Sequence, residues 1–529
     1  MKKEMISTQK SNSLTLLKKS RKGLANILFS RTGLVSVLLL LQFGLLFVLF
    51  WRFSAFLPHF FGGTAIFTVA MVLSLLNGRH DPSAKITWLI IIMLVPVFGS
   101  LLYLYTQSDT GHRTLKKRIR DLILDTRELT PQDQTISEEL EELDPGVAGL
   151  SKYLRRAGYF PTYRNTDCWY FSSGEEKFRA MLAELEQAKR FIFLEYFIVE
   201  EGEMWGRILE ILARKAGEGV DVRLMYDGTC EFSLLPRDYP QRLKALGIRC
   251  RVFAPVTPFV STHYNYRDHR KILVIDGHTA FTGGVNLAVE YIYRRLRFGH
   301  WKDTAVKLSG EAARSFTLMF LQMWNISEKN PAIKSFVSCP VPPRPEAKGY
   351  VIPYGDCPLD QRRLAQQVYM DILARAKKYV HIMTPYLILD GEMEGALKYA
   401  AERGVDVRLI LPGIPDKKIP YALAKTHYIS LMDSGVRLYE YTPGFVHAKS
   451  FVCDDREAVV GTINLDYRSL YHHFECAVYM FETACIGDIE TDFQKTLQKC
   501  RRVTRETIKA EKKSMKLLGC LMKAVAPLL

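Results

Sequence analysis

"AKRFIFLEYFIVEEGEMWGRILEILARKAGEGVDVRLMYD" runs from Ala188 to Asp227 and reads as strand, turn, helix and second strand. Phe191 to Tyr196 is an apolar, aromatic-rich run interrupted only by Glu195, and Glu200 to Gly202 is polar. Trp205, Ile208, Leu209 and Leu212 then recur at three- and four-residue spacing, the period of a half-buried helix, and Gly-Val-Asp-Val-Arg-Leu follows as a buried strand. A helix of this length between two strands predicts a parallel α/β sheet. "AKKYVHIMTPYLILDGEMEGALKYAAERGVDVRLILP", Ala376 to Pro412, repeats the whole order and ends on the same Gly-Val-Asp-Val-Arg-Leu. The chain therefore carries two related α/β lobes.

Each copy is followed by a short polar motif. "HRKILVID" spans His269 to Asp276 and "HAKSFVCD" spans His447 to Asp454, 81 and 71 residues after the start of their copies. Gly283, Gly284 and Asn286 stand 7, 8 and 10 residues beyond Asp276; Gly461, Thr462 and Asn464 stand at the same offsets beyond Asp454. Shared spacing inside a shared fold predicts one site built from two halves, with His269, Lys271, Asp276, His447, Lys449 and Asp454 as its catalytic set. The residue types suit a phosphodiester. Two lysines and the amides of Asn286 and Asn464 offer positive charge and donors to nonbridging oxygens. One neutral imidazole can attack phosphorus while the other, protonated, gives its proton to the departing alcohol. No metal cage and no cofactor motif is apparent, and the lysines supply the charge neutralisation.

Composition places this chemistry at a membrane. The net charge is +16 over 529 residues, but residues 1–31 carry +7 and residues 501–529 carry +6. The body between them holds only +3, too little for the basic track that a nucleic-acid enzyme lays along a phosphate backbone. Basic segments flanking apolar runs suit anionic lipid surfaces instead. Three runs without a charge, Gly33 to Trp51, Phe60 to Leu76 and Ile86 to Tyr105, are each near the ~20 residues that a spanning helix needs. The charge rule does not settle their orientation. Lys18, Lys19, Arg21, Lys22 and Arg31 place the N-terminus inside, yet Arg113, Lys116, Lys117, Arg118 and Arg120 follow the third run directly. Either the segment with Pro96 and Gly99 is re-entrant or one of the first two runs does not fully cross. Ten scattered cysteines with no paired spacing predict free thiols, in keeping with a cytoplasmic catalytic body.

These stretches, together with "NYRDHRKILVIDG" and "GTINLDYRS", resemble the bacterial cardiolipin synthases of the phospholipase D superfamily. The resemblance implies two α/β sandwich lobes related by a pseudo-twofold axis, preceded by transmembrane helices. It implies His269 as nucleophile and His447 as general acid then base, or the reverse, with Lys271, Lys449, Asn286 and Asn464 on phosphate. Asp303 and Glu475 match the carboxylates that orient the histidines, while Asp276 and Asp454 brace their loops. The implied reaction transfers a phosphatidyl group between two phosphatidylglycerol molecules through a phosphohistidine and releases glycerol. A hydrolytic phospholipase D, a nuclease of the same superfamily and a noncatalytic membrane scaffold are the alternatives. Expected partners are phosphatidylglycerol and anionic lipids of a bacterial cell membrane, not nucleic acid; self-association is left open.

The expected layout is a basic N-terminus and membrane section at 1–110, a linker at 111–150, lobes at 151–337 and 350–500 joined by a proline-rich linker at 338–349, and a basic amphipathic segment at 501–529. His263, His278, His300, His472 and His473 read as surface or packing residues; Tyr264, Tyr266, Arg267 and Arg468 read as shaping the pocket.

Overall fold

The computed structural model describes residues 14–16, 31–56, 63–78, 81–107, 112–255, 266–328, 331–360 and 362–528. His263, Tyr264 and most of the N-terminal basic residues lie outside them.

Lobe 1 holds β1 (Thr166–Phe171), β2 (Phe191–Tyr196), β3 (Asp221–Asp227), β4 (Arg249–Phe253), β5 (Arg267–Asp268), β6 (Lys271–Ile275), β7 (Thr279–Gly283), β8 (His300–Lys302) and β9 (Ala305–Gly310). Lobe 2 holds β10 (Tyr350–Asp356), β11 (Tyr379–Met383), β12 (Asp406–Pro412), β13 (Arg437–Tyr441), β14 (Gly444–Val446), β15 (Ser450–Cys453), β16 (Glu457–Gly461), β17 (His473–Phe481) and β18 (Cys500–Arg502). The first sheet runs β1-β9-β7-β6-β2-β3-β4 and the second β10-β17-β16-β15-β11-β12-β13, with β18 added at its edge. The two orders are the same order, so the sequence repeat is a fold repeat. The expected parallel sheet is corrected to a mixed one. Within the two main sheet orders only β2-β3-β4 and β11-β12-β13 are parallel, each neighbouring pair being joined by a helical crossover; β6, β7 and β9 pair antiparallel. Helices cover both faces, which is why every residue of β2 is buried and the strand reads as a continuous apolar run instead of an alternating one.

The aspartates that close the two motifs brace this scaffold. Asp276 accepts hydrogen bonds from the backbone N–H of Lys189, Arg190 and Phe191 at 2.8, 2.8 and 2.9 Å. Asp454 accepts the same three from Lys377, Lys378 and Tyr379 at 2.7, 2.8 and 2.8 Å. Both sit at a φ of 53°, a left-handed turn that Asp tolerates better than most residues. Each carboxylate thus ties the end of the motif strand to the start of the neighbouring strand, and neither turns toward the histidines.

The lobes share one hydrophobic core. Phe193, Ile272 and Val274 of lobe 1 pack in the same cluster as Val452, Phe474, Cys476 and Val478 of lobe 2. Two short pairings also cross the boundary, β5 with β17 and β8 with β14. Burial of this kind contributes ~1.5–3 kcal/mol per large apolar side chain, so the two lobes behave as one body.

The N-terminal section departs from expectation. Helix α1 (Arg31–Phe56) covers the first apolar run and α2 (Gly63–Asn77) most of the second, but the third is broken into α3 (Pro82–Leu94) and α4 (Pro96–Gln107). Val95 leaves the helical region at φ −137°, ψ 77°, as expected for a residue before proline. The chain then doubles back, since a Cβ built on Gly99 would lie 2.7 Å from the carbonyl oxygen of Ile91, and the Trp88 and Tyr103 rings stand 5.3 Å apart. The third run is therefore a hairpin of 13- and 12-residue helices, each under ~20 Å long. Among the described residues no helix is long and apolar enough to cross a membrane. The linker expected at 111–150 is mostly helix. Ile119 and Leu122 of α5 (His112–Thr126) join the shared core, and Ile136, Leu140 and Leu150 of α6 (Gln134–Leu143) and α7 (Pro145–Gly158) join the core of lobe 2. The 338–349 connector is irregular, as its prolines predict.

At the other end, the basic segment forms the helix Lys513–Lys523. It docks where Gly519 approaches Ala422, leaving Leu517 and Leu521 exposed. The terminal turn then reaches α3, where Thr87 Oγ1 donates to the Ala524 carbonyl at 2.8 Å.

Candidate active site

His269 and His447 stand just before β6 and β15, and each is anchored by the other lobe. The His269 backbone N–H donates to the Phe474 carbonyl at 2.9 Å, and that of His447 donates to the Lys302 carbonyl at 2.7 Å. The side chains repeat the exchange. His269 Nδ1 meets Glu475 Oε1 at 2.8 Å, and His447 Nδ1 meets Asp303 Oδ2 at 2.7 Å. Each histidine of one lobe is therefore oriented by a carboxylate of the other. Glu475 receives a further hydrogen bond from Thr462 Oγ1, and Asp303 Oδ1 accepts the Thr304 N–H at 2.8 Å. Gly284 is needed for this packing, since a Cβ there would fall 1.9 Å from Asp303 Oδ1 and 2.8 Å from the His447 carbonyl oxygen.

The electrostatics follow from burial. Both imidazoles are almost enclosed, and burial pushes His269 well below its ordinary value against the pull of Glu475. Burial, aided by the Lys449 ammonium, pushes His447 down to about 4 against the pull of Asp303. Burial alone would raise the two carboxylates, but the paired imidazoles outweigh it and hold both below the usual range. At neutral pH the resting site thus holds two ionised carboxylates, each accepting Nδ1–H from a neutral imidazole whose Nε2 lone pair remains available. An arriving phosphate anion adds negative charge and favours protonation of one of the two.

Lys271 and Lys449 are buried, and each Nζ donates to the carbonyl of its motif histidine, at 2.5 Å for Lys271. Burial pushes Lys271 down to about 8 and Lys449 down to about 7. A depressed lysine loses its proton at lower pH, so the positive charge offered to a phosphate fades as pH rises through 7 to 8. kcat/KM on lipid vesicles is therefore expected to fall across that window, because it reports the free enzyme. An alkaline limb near pH 10 would show that these ammonium groups are solvated.

The two asparagines differ. Asn286 Oδ1 accepts the Ile198 N–H at 3.1 Å and its Nδ2 donates to Tyr291 Oη at 2.7 Å, whereas Asn464 Oδ1 has no hydrogen-bond partner. Arg267 is buried, lies 3.6 Å from Asp227 and donates to the Ala254 carbonyl; Arg468 opens the turn Arg468–His472 that leads into β17. His278 and His300 hold local contacts with Thr279 and Tyr441. His473, read from sequence as a packing residue, is instead at the site, its ring centroid 5.4 Å from that of His269. Its position two residues before Glu475 on the same strand face was the available signal. His269, His473 and Glu475 are also, among the described residues, the one group whose ligand atoms all lie within 4.8 Å and could hold a metal ion.

Paired motifs on two fused lobes, with crossed carboxylates behind two imidazoles, define a phospholipase D-like protein. The same architecture appears in the crystal structure of a phosphatidylserine synthase from Haemophilus influenzae, at a TM-score of 0.56 and 16% identity, over 72% of this chain and 99% of that one. A family model described as "Cardiolipin synthase, PLD-like domain" matches residues 181–324 and 369–497, and a phospholipase D-nuclease N-terminal model matches 66–106. The chain belongs to this cardiolipin synthase family of phospholipase D-like proteins. Relatives include a cardiolipin synthase of Alkalihalophilus pseudofirmus, 31% identical over 92% of this chain and 98% of that one. One from Geobacillus kaustophilus is 32% identical over 88% and 92%. An uncharacterized protein of Streptococcus mutans is 55% identical over 87% of this chain and the whole of its own length.

Proposed function

We propose that the protein is a cardiolipin synthase. One imidazole attacks the phosphorus of phosphatidylglycerol, the other protonates the departing glycerol, and a phosphatidyl-histidine forms. The second imidazole, now neutral, takes the proton from a hydroxyl of another phosphatidylglycerol as that oxygen attacks phosphorus, giving cardiolipin and freeing the first histidine. Lys271 and Lys449, with the side-chain N–H groups of Asn286 and Asn464, would hold the nonbridging oxygens. The observation that carries the reading is the mirror pair His269–Glu475 and His447–Asp303, which equips both imidazoles alike for proton transfer and attack. Family membership supports the lipid substrate.

The substrate lies in a bilayer, and the N-terminal section supports a protein held there. α1, α2 and the α3–α4 hairpin, none long and apolar enough to cross, would insert from the face on which the N-terminal basic residues and the basic start of α5 meet anionic lipid. Both basic segments would then lie on one side of the bilayer, which supports a cytoplasmic position for the lobes.

Purified full-length protein incubated with phosphatidylglycerol vesicles is expected to yield cardiolipin and glycerol in equal amounts. Phosphatidic acid without cardiolipin would replace this reading with hydrolysis, and no lipid product would leave a scaffold.

A further inference from the structure

The pseudo-twofold repeat places two different residues in one position. Trp301 stands two residues before Asp303, and His473 stands two residues before Glu475. Trp301 packs on His447 with ring centroids 5.4 Å apart and planes at 43°; His473 packs on His269 at 5.4 Å and 44°. The placements match, so packing asks only for a flat ring. Trp301 sits among Phe298, Phe445 and Tyr291, and its one ring N–H is buried without a hydrogen-bond partner. His473 differs in having two ring nitrogens, one able to donate and one to accept, and neither has a hydrogen-bond partner although the residue is buried. Its Nδ1 is 3.8 Å from Glu475 Oε1, beyond hydrogen-bond reach, and Glu475 is already engaged by His269 and Thr462. A buried polar group without a partner costs free energy, and beside a reacting histidine the missing partner is substrate.

We infer that His473 is a third substrate-binding imidazole, taking a hydrogen bond from or to a lipid oxygen on the His269 side of the cleft. This rests on the phosphatidyl-transfer reading, with His473 acting on substrate binding. The oxygen belongs either to the phosphate, which accepts a ring N–H, or to a headgroup hydroxyl, which can accept a ring N–H or donate to the bare ring nitrogen.

Full-length protein in vesicles separates the possibilities. His473→Phe keeps the flat ring and removes the nitrogens; His473→Gln keeps a hydrogen-bonding group near the Nε2 position. His473→Phe is expected to raise the apparent KM for phosphatidylglycerol about tenfold, with a smaller change in kcat, and His473→Gln to recover most of the loss. Phosphatidylmethanol, whose headgroup has no hydroxyl, locates the oxygen when free glycerol is supplied as the acceptor alcohol, the initial products being phosphatidylglycerol and methanol. A loss seen with both lipids assigns the phosphate, and one seen with phosphatidylglycerol alone assigns the headgroup. Unchanged KM in His473→Phe would overturn the inference, as would equal loss in both variants, which marks a purely structural role. Activity lost on chelation and restored by zinc would also overturn it, His269, His473 and Glu475 then holding an ion. Failure of the unsubstituted protein to turn over phosphatidylglycerol would instead strike the phosphatidyl-transfer reading.

Discussion

His269→Asn is expected to lower kcat by roughly 10⁴ to 10⁶ while leaving the fold intact, and His447→Asn to do the same. Asparagine is the informative replacement because its amide N–H can still reach the buried carboxylate in place of Nδ1–H. Alanine would strand Glu475 or Asp303 as an uncompensated buried charge, a change that costs about 3–5 kcal/mol and confuses instability with lost chemistry. The double variant is expected to be no slower than either single one, since both imidazoles serve one reaction and neither completes a cycle alone. Cardiolipin formation from phosphatidylglycerol, followed beside near-ultraviolet circular dichroism, measures both quantities. A single variant retaining a tenth of the rate would show that its histidine neither attacks phosphorus nor moves the proton.

The second large effect tests the crossing itself. Glu475→Gln is expected to lower kcat by roughly 10² to 10⁴, as when a carboxylate behind a catalytic imidazole is neutralised. Its signature is the histidine it touches. Removing the Glu475 charge removes the attraction that raises the His269 pKa, so His269 should become still harder to protonate while His447, paired with Asp303, keeps its titration. Asp303→Asn should act on His447 and spare His269. Histidine ring resonances followed against pH in selectively labelled protein read this directly. An effect of Glu475→Gln on the His447 resonance, with none on that of His269, would mean that the carboxylates serve their own lobes.

Much of this architecture is written in local spacing. Strand and helix periods around Ala188 and Ala376 are encoded within about forty residues each, because backbone geometry repeats every two or 3.6 positions. The repeated His, Lys, Asp, Gly and Asn offsets are likewise local, so the motif residues were legible, whereas Asp303 and Glu475 came only from the family resemblance. Pro96 and Gly99 were visible as a disturbance, but whether the chain kinks, reverses or simply tilts there depends on what packs against it. The helices of 112–126 and 134–158 were missed as docked elements since their acidic and basic faces dominate the composition, while few apolar residues such as Ile136 and Leu140 hold them down.

By itself the sequence determined that there are two related lobes, each with a His-Lys-Asp motif at the same offset, and that apolar segments precede them. Only the tertiary structure decided which carboxylate serves which histidine and that His473 joins them. Glu475 is 206 residues from His269, and Asp303 is 144 from His447. No periodicity reaches across such separations. The pairing is set by burial of a common core that brings the two lobes together, so that each buried histidine meets a buried carboxylate distant along the chain.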